Sequence, residues 1–233
     1  PSCKDPLPPP VNLIEHADVR RMLLAQKAYA EGAYALCLFG TSLADDERTA
    51  PTQIAREQAH ELLDFLTPII KTWPSEYGPK ANSLAIQVMG GAGYVNEHPV
   101  EMMYRDNRLN PIHEGTTGIQ AIDLLGRKVA QNKRAGYLAC LAEIGATIAQ
   151  AQSVPALVEF ARELQSARDT VTTVTDHLLQ SMGALNIDLV MANSVKFLEL
   201  FGNVVIAWIW LKQGLVAQRG LEARVHVEDA RFY

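Results

Sequence analysis

The chain has 233 residues, 48% of them hydrophobic and 20% charged, which suffices for a real core in one large or two small units. A formal net charge of -5, with no cluster of lysines and arginines, argues against a nucleic-acid binder. The three cysteines, Cys3, Cys37 and Cys140, form no CxxC pair, so neither a zinc site nor a disulfide framework is expected.

That cysteine usage points to a reducing compartment, the cytoplasm. There is no signal peptide and no apolar run of membrane-spanning length, so no membrane is expected as a partner. The longest apolar stretch, Val204 to Leu211, lies between Glu199 and Lys212 and reads as a buried helix turn. The sequence begins at Pro1 without a methionine, which leaves open a cleavage product or a piece of a longer protein.

Residues 1–11 hold five prolines and read as an extended linker. A first helix follows, with Val19, Met22, Leu23, Ala30, Ala33 and Cys37 on one face. Pro51 opens a second, carrying Ile54, Leu62, Phe65, Leu66 and Ile69, and Pro68 is expected to bend or shorten its last turn. A third places Ala81, Leu84, Ala85, Val88 and Met89 together and ends at Gly90 and Gly91, which resemble a C-cap. An irregular stretch from Gly93 to Gly115 precedes a fourth helix. Thr117 and Gln120 have capping-box spacing, so it should start near Thr116 or Thr117.

Four such helices predict an all-α, antiparallel four-helix bundle over residues 12–130. Residues 131–233 read as a helical extension packed on it. Leu157, Phe160, Ala161, Leu164, Val171, Val174 and Leu178 form one apolar stripe there, and Val195, Leu198, Val205 and Ile209 another. Strand alternation and fixed-period repeats are absent from the sequence pattern.

Chemistry concentrates between Gln87 and Lys128, in QVMGGAGYVNEHPVEMMYRDNRLNPIHEGTTGIQAIDLLGRK. Glu114 stands in a short loop directly before a helix N-terminus, where free amides and the helix dipole favour an ionised carboxylate. Covering it with an apolar substrate and a ring cofactor would push its pKa up. Those opposing effects suit a general base. The same position suits a glutamate that only stabilises the helix end, which physics alone favours because acidic residues are common at helix starts. His113 lacks the spacing of a metal motif and reads as a solvent-facing or loop-packing residue.

This segment resembles the signature of the acyl-CoA dehydrogenases. The matching residues are Gln87, Gly90, Gly91, Gly93 and Tyr94, then Tyr104, Arg105 and Asp106, then Ile112, Glu114, Gly115 and Thr116. The stretch LIEHADVRRMLLAQKAYAEGA is similar to a helix at the start of the family's C-terminal domain. With the extension, the resemblance points to the subgroup that includes methylmercaptopropionyl-CoA dehydrogenase.

The resemblance implies an FAD enzyme in which Glu114 removes the proton alpha to an acyl-CoA thioester while the beta hydrogen leaves as hydride to flavin N5. Gly115 would let backbone approach the substrate, and Thr116 would border the flavin. Gln87, Gly90 and Gly91 would reach the FAD of a neighbouring subunit in a homodimer or homotetramer. Electron-transfer flavoprotein or a similar acceptor is the implied redox partner. His16 lies where the family often contacts FAD, but Ala17 and Gly118 stand where glutamines are usual. Arg105 and Asp106 are expected to anchor the Glu114 loop. The family's preceding helical and beta domains are not in this sequence, so the chain alone is expected to bind FAD poorly and to be inactive. Two other readings compete: a catalytically silent relative serving interaction or nucleic-acid protection, and a di-iron bundle. The acidic charge and intact Glu114 count against the first, and the lack of Glu-x-x-His pairs counts against the second.

Overall fold

The computed structural model describes residues 10–113, 115–184 and 187–223, and every regular element among them is helical. Helix α1 spans Ala17–Thr49 and α2 spans Gln53–Met89. Short helices α3 (Val100–Asn107) and α4 (Thr117–Asp123) follow, and α4 runs on into a wider π-type turn, Leu124–Lys128. The extension supplies α5 (Gln131–Gln152), α6 (Val158–Gly183), α7 (Ile187–Ala192) and α8 (Ser194–Glu222).

The expected second and third helices are one. α2 runs 37 residues through Pro68, Pro74 and Pro79. Each proline removes a backbone donor and crowds the preceding turn, at about 3 kcal/mol in an exposed helix. Against that, α2 buries Leu62, Phe65, Leu66, Ile69 and Trp73, each contributing roughly 1.5–3 kcal/mol. Thr72 Oγ1 donates to the Pro68 carbonyl at 2.6 Å and Ser75 Oγ to the Thr72 carbonyl at 2.9 Å, but the acceptors the prolines free are the carbonyls of Asp64, Ile70 and Ser75, so burial is the compensating term. Packing therefore overrides the local break. Among its described residues the bundle region still holds four α-helices, because α3 forms within the stretch expected to be irregular, and α1 with α2 makes a long hairpin.

The faces also shift. In α1 the buried positions are Met22, Gly32, Leu36, Gly40 and Leu43, whereas Leu23 and Cys37 are exposed. Ile54 is exposed on α2, and Phe160 and Val195 in the extension. Gly32 and Gly40 allow close approach, since a Cβ would meet Trp210 Nε1 at 2.9 Å and Ile70 Cδ1 at 2.7 Å.

The extension's last helix, α8, occupies the middle. It packs on α1, α2, α4, α5 and α6 and buries Phe197, Leu198, Phe201, Val204, Val205, Trp208, Ile209 and Leu211. The run Val204 to Leu211 is thus buried helix, as expected. The full 29 residues reach a mean hydropathy of 1.5 in their best window, long and apolar enough to cross a membrane by length and composition. Here that apolar surface is spent on the core. Phe201 contacts Phe65, Tyr137 and Phe197 edge-on, and Trp208 Nε1 donates to Thr147 Oγ1 at 2.8 Å. On the α2 side, Trp73 Nε1 and Tyr77 Oη both donate to Asn203 Oδ1, at 3.2 and 2.9 Å.

Bundle and extension meet at a left-handed turn. Asn132, Lys133 and Arg134 have φ of 48°, 56° and 69°, a conformation that costs a side-chain-bearing residue about 1–2 kcal/mol. Polar contacts hold it. Asn132 Nδ2 donates to Glu61 Oε1, Gln131 Nε2 to Asp64 Oδ2 and Arg134 Nη2 to Asp176 Oδ1, while buried Lys128 pairs with Asp64. The turn brings Gly136 against α2, where a Cβ would lie 2.5 Å from the Glu61 carbonyl oxygen.

Lys133→Gly should raise stability by about 1 kcal/mol, because relief of the left-handed strain outweighs glycine's extra chain entropy. Urea unfolding midpoints check this, and a less stable variant would contradict it. The Cys140 thiol is fully buried, and desolvation pushes its pKa far up, whereas Cys37 is exposed and raised less. Alkylation of the native protein should therefore label Cys37 well before Cys140. Equal rates by mass mapping would count against this packing.

Candidate active site

The C-terminal half of α2 organises the signature residues. Gly78 leaves room for α3, since a Cβ there would sit 2.6 Å from Asn107 Nδ2. Asn107 Nδ2 donates to Asn82 Oδ1 at 2.8 Å, and Asn110 Nδ2 donates to Asn107 Oδ1 at 2.6 Å. His113 Nε2 lies 3.3 Å from Asn110 Oδ1. This side-chain relay carries the order of α2 into the turn after α3. Further on, Thr116 Oγ1 donates to the carbonyl of buried Pro111 at 2.6 Å, and Thr117 Oγ1 donates to Glu76 Oε1 at 2.5 Å.

The irregular stretch expected from Gly93 to Gly115 therefore contains a helix, α3. Arg105 and Asp106 are exposed on it, and neither side chain joins a hydrogen bond or ion pair among the described residues. Successive helix positions lie about 100° apart, so the face that docks Asn107 on α2 turns its two predecessors outward. Asparagines and threonines anchor the loop in their place. His113 is exposed and loop-bonded, as expected.

Glu114 lies outside the described residues. Gly115, directly after it, has φ of 81°, and a Cβ there would come 3.3 Å from Gln120 Nε2 and 3.6 Å from Lys71 Nζ. Thr116 is the N-cap of α4, which starts where the sequence placed it. The expected capping box does not form, because the Thr117 hydroxyl turns to Glu76 and Gln120 is buried.

Gln87 is exposed on the last turn of α2. Gly90 is its C-cap with φ of 61°, as the sequence suggested, and Gly91 is exposed with open space where a Cβ would point. Gly93 is needed for packing, since a Cβ would meet the Ile86 carbonyl oxygen at 2.7 Å. The structure does not bring the two halves of the signature together within this chain. Eleven residues of α2 separate Glu76 from Gln87, about 16 Å at 1.5 Å per residue. Apolar side chains are exposed around these residues, among them Tyr94 (82% exposed), Met102, Met103, Leu109, Ile112 and Ile119. His16, the other residue considered for flavin contact, is the exposed N-cap of α1.

Recesses flank the loop. A groove is lined by Lys71, Ser75, Asn107, Asn110, His113 and Gly115. A cleft of about 280 Å³ between α2, α4 and α8 is lined by Trp73, Glu76, Tyr77, Lys80, Leu198 and Glu199, among others. There Lys80 Nζ stands 3.8 Å from the centroid of the Tyr77 ring and 3.9 Å from Glu199. Burial pushes the Tyr77 phenol up, partly offset by its hydrogen bond to Asn203. Sequence reasoning missed Lys71, Glu76, Asn82 and Asn107. The first two fall in the gap left by dividing α2, and a continuous helical period through residues 70–80 was the available signal.

Residues 10–129 match the family described as "Acyl-CoA dehydrogenase, C-terminal domain", and residues 140–233 match "Acetyl-CoA dehydrogenase C-terminal like". The chain belongs to the acyl-CoA dehydrogenase family. It is 38% identical to the 3-methylmercaptopropionyl-CoA dehydrogenase of Ruegeria pomeroyi over 85% of its length, covering 34% of that protein. It is 32% identical to a butyryl-CoA dehydrogenase of Syntrophomonas wolfei over 98% of its length, covering 37%. A broad-specificity linear acyl-CoA dehydrogenase of Mycobacterium tuberculosis is 29% identical over 98% of the chain, with 38% covered. The chain thus spans little more than a third of the length of these curated relatives.

Gly115→Ala should leave the fold intact but destabilise it by about 1–2 kcal/mol, because alanine must adopt the left-handed φ beside Gln120. Thermal or urea unfolding measures this. A neutral substitution would show that the loop relaxes freely.

Proposed function

We propose that this chain is the C-terminal part of an FAD-dependent acyl-CoA dehydrogenase, with Glu114 as the base that removes the proton alpha to the thioester carbonyl. The observation that carries the reading is the ordered signature around a glycine of positive φ. Gly115 follows Glu114 directly and precedes the N-cap of α4. At that position the helix N-terminus favours an ionised carboxylate before substrate binds, and an acyl chain laid over it raises its proton affinity. The missing Cβ of Gly115 lets the thioester approach the backbone, where amide N–H groups can stabilise enolate-like charge without reorganisation.

The residues present suit a flavin. Gly91 is open although nothing among the described residues requires a glycine there, and the exposed apolar rim offers a surface for a planar ring. Thr116 would border the cofactor from the α4 side, and Gln87, Gly90 and Gly91 would hold it from the end of α2. Gln87 lies about 16 Å along α2 from Glu76, which binds Thr117, and that spacing supports the reading that the two groups serve different FAD molecules in a homodimer or homotetramer. Bound FAD supplies a hydride acceptor for the beta hydrogen. Electron-transfer flavoprotein or a similar acceptor then reoxidises the enzyme. The three relatives are named for different acyl groups, so the substrate class proposed is acyl-CoA thioesters without a chain length.

The chain alone is expected to bind FAD poorly and to show no turnover, so the decisive experiment uses the full-length protein. Glu114→Gln should keep FAD but lose anaerobic bleaching by a panel of acyl-CoA thioesters, at least about 10²-fold in rate. Bleaching at the wild-type rate would remove Glu114 from the base role.

A further inference from the structure

We infer that Glu76 is a positioning residue for this reaction, setting the orientation of Glu114 through Thr117. The inference rests on Glu114 being the base. The loop between α3 and α4 returns to the same helix at both ends. Its upstream end is tied by Asn107 to Asn82, and its downstream end by Thr117 to Glu76. Asn82 and Glu76 are six residues apart on α2, about 9 Å along the axis. The Asn82 tie joins neutral amides, whereas the Glu76 tie ends on a carboxylate, which makes such a bond roughly twice as strong.

Thr117 is the first residue of α4 and the third after Glu114. The body of α4 does not depend on it. Ala121 of α4 and Leu124 and Leu125 of the π-type turn that continues it are buried, and α4 packs on α8, so apolar contacts hold the helix in place. What the Glu76 bond adds is the placement of the first turn and of the backbone just before it. Inside that turn, Thr116 closes on Pro111, and Gly115 permits the chain reversal. Lys80, one turn along α2, engages Glu199 and the Tyr77 ring. Among the described residues, Thr117 is the hydrogen-bond partner of the Glu76 carboxylate. Glu76 therefore governs geometry near the base more than stability of the fold. A misplacement of about 1 Å at a reacting group can cost about 10²-fold in rate.

The test uses full-length protein loaded with FAD and the straight-chain acyl-CoA that reduces the wild type fastest. Glu76→Ala and Thr117→Val should each slow flavin reduction about ten- to hundred-fold. FAD content, melting temperature and half-saturating substrate concentration should stay close to wild type. Thr117→Ser should restore the rate, and the double variant should be no slower than the slower single variant, because both remove one bond. Wild-type rates in both single variants would overturn the proposal, as would multiplicative losses in the double variant. Parallel loss of FAD and melting temperature would overturn it in favour of a structural role. If Glu76→Ala does not fold, Thr117→Val against Thr117→Ser makes the same comparison. Glu114→Gln run alongside separates the two ideas. If it bleaches normally, the base reading fails and this inference with it. If it is silent while Glu76→Ala and Thr117→Val react at wild-type rates, only the positioning role is lost.

Discussion

The unbroken course of α2 through three prolines is the constraint on which the rest depends. One face pairs with α1. The mid-section presents Phe65 and Trp73 to α8, and the turns beyond carry Glu76, Gly78 and Asn82 to the loop after α3. Its end at Gly90 places the glycine cluster about 21 Å beyond Glu76 and about 12 Å beyond Asn82 along the axis. A break at Pro68 would uncouple these groups. The helix persists because its buried face outweighs the lost backbone bonds.

The extension is part of the same core. α8 inserts between the α1–α2 hairpin and α5–α6, so its aromatic residues join the bundle's own. Gly202 permits this contact, since a Cβ would meet Trp73 Cδ1 at 2.8 Å. At the other side, the left-handed turn is tied to Glu61 and Asp64 of α2 and to Asp176 of α6. Strain there is held by surrounding polar contacts, which makes the junction stiff rather than a hinge.

The candidate site divides its labour by chemistry. Hydrogen-bonding side chains fix the backbone around Gly115 from behind, and exposed apolar side chains line the surface in front. Under the proposed function, directional bonds would suit the first task, holding a base in place. Apolar area would suit the second, since planar rings and acyl chains are bound chiefly by burial. Lys71, close to Gly115, adds a cation at the rim of the groove.

The sequence alone determined the helical class, the start of α4, the cap at Gly90 and the family signature. Each of these is written in local periodicity, in a backbone conformation that glycine adopts freely, or in residue order. The expected shortening at Pro68 and the capping box at Thr117 followed equally local rules, and each lost to a partner distant in sequence. Burial kept α2 whole and Glu76 took the Thr117 hydroxyl, while Asn82 holds Asn107 beside the exposed Arg105 and Asp106. Only the tertiary structure could decide these, because the free energy of packing and of a carboxylate hydrogen bond depends on contacts that sequence spacing does not encode.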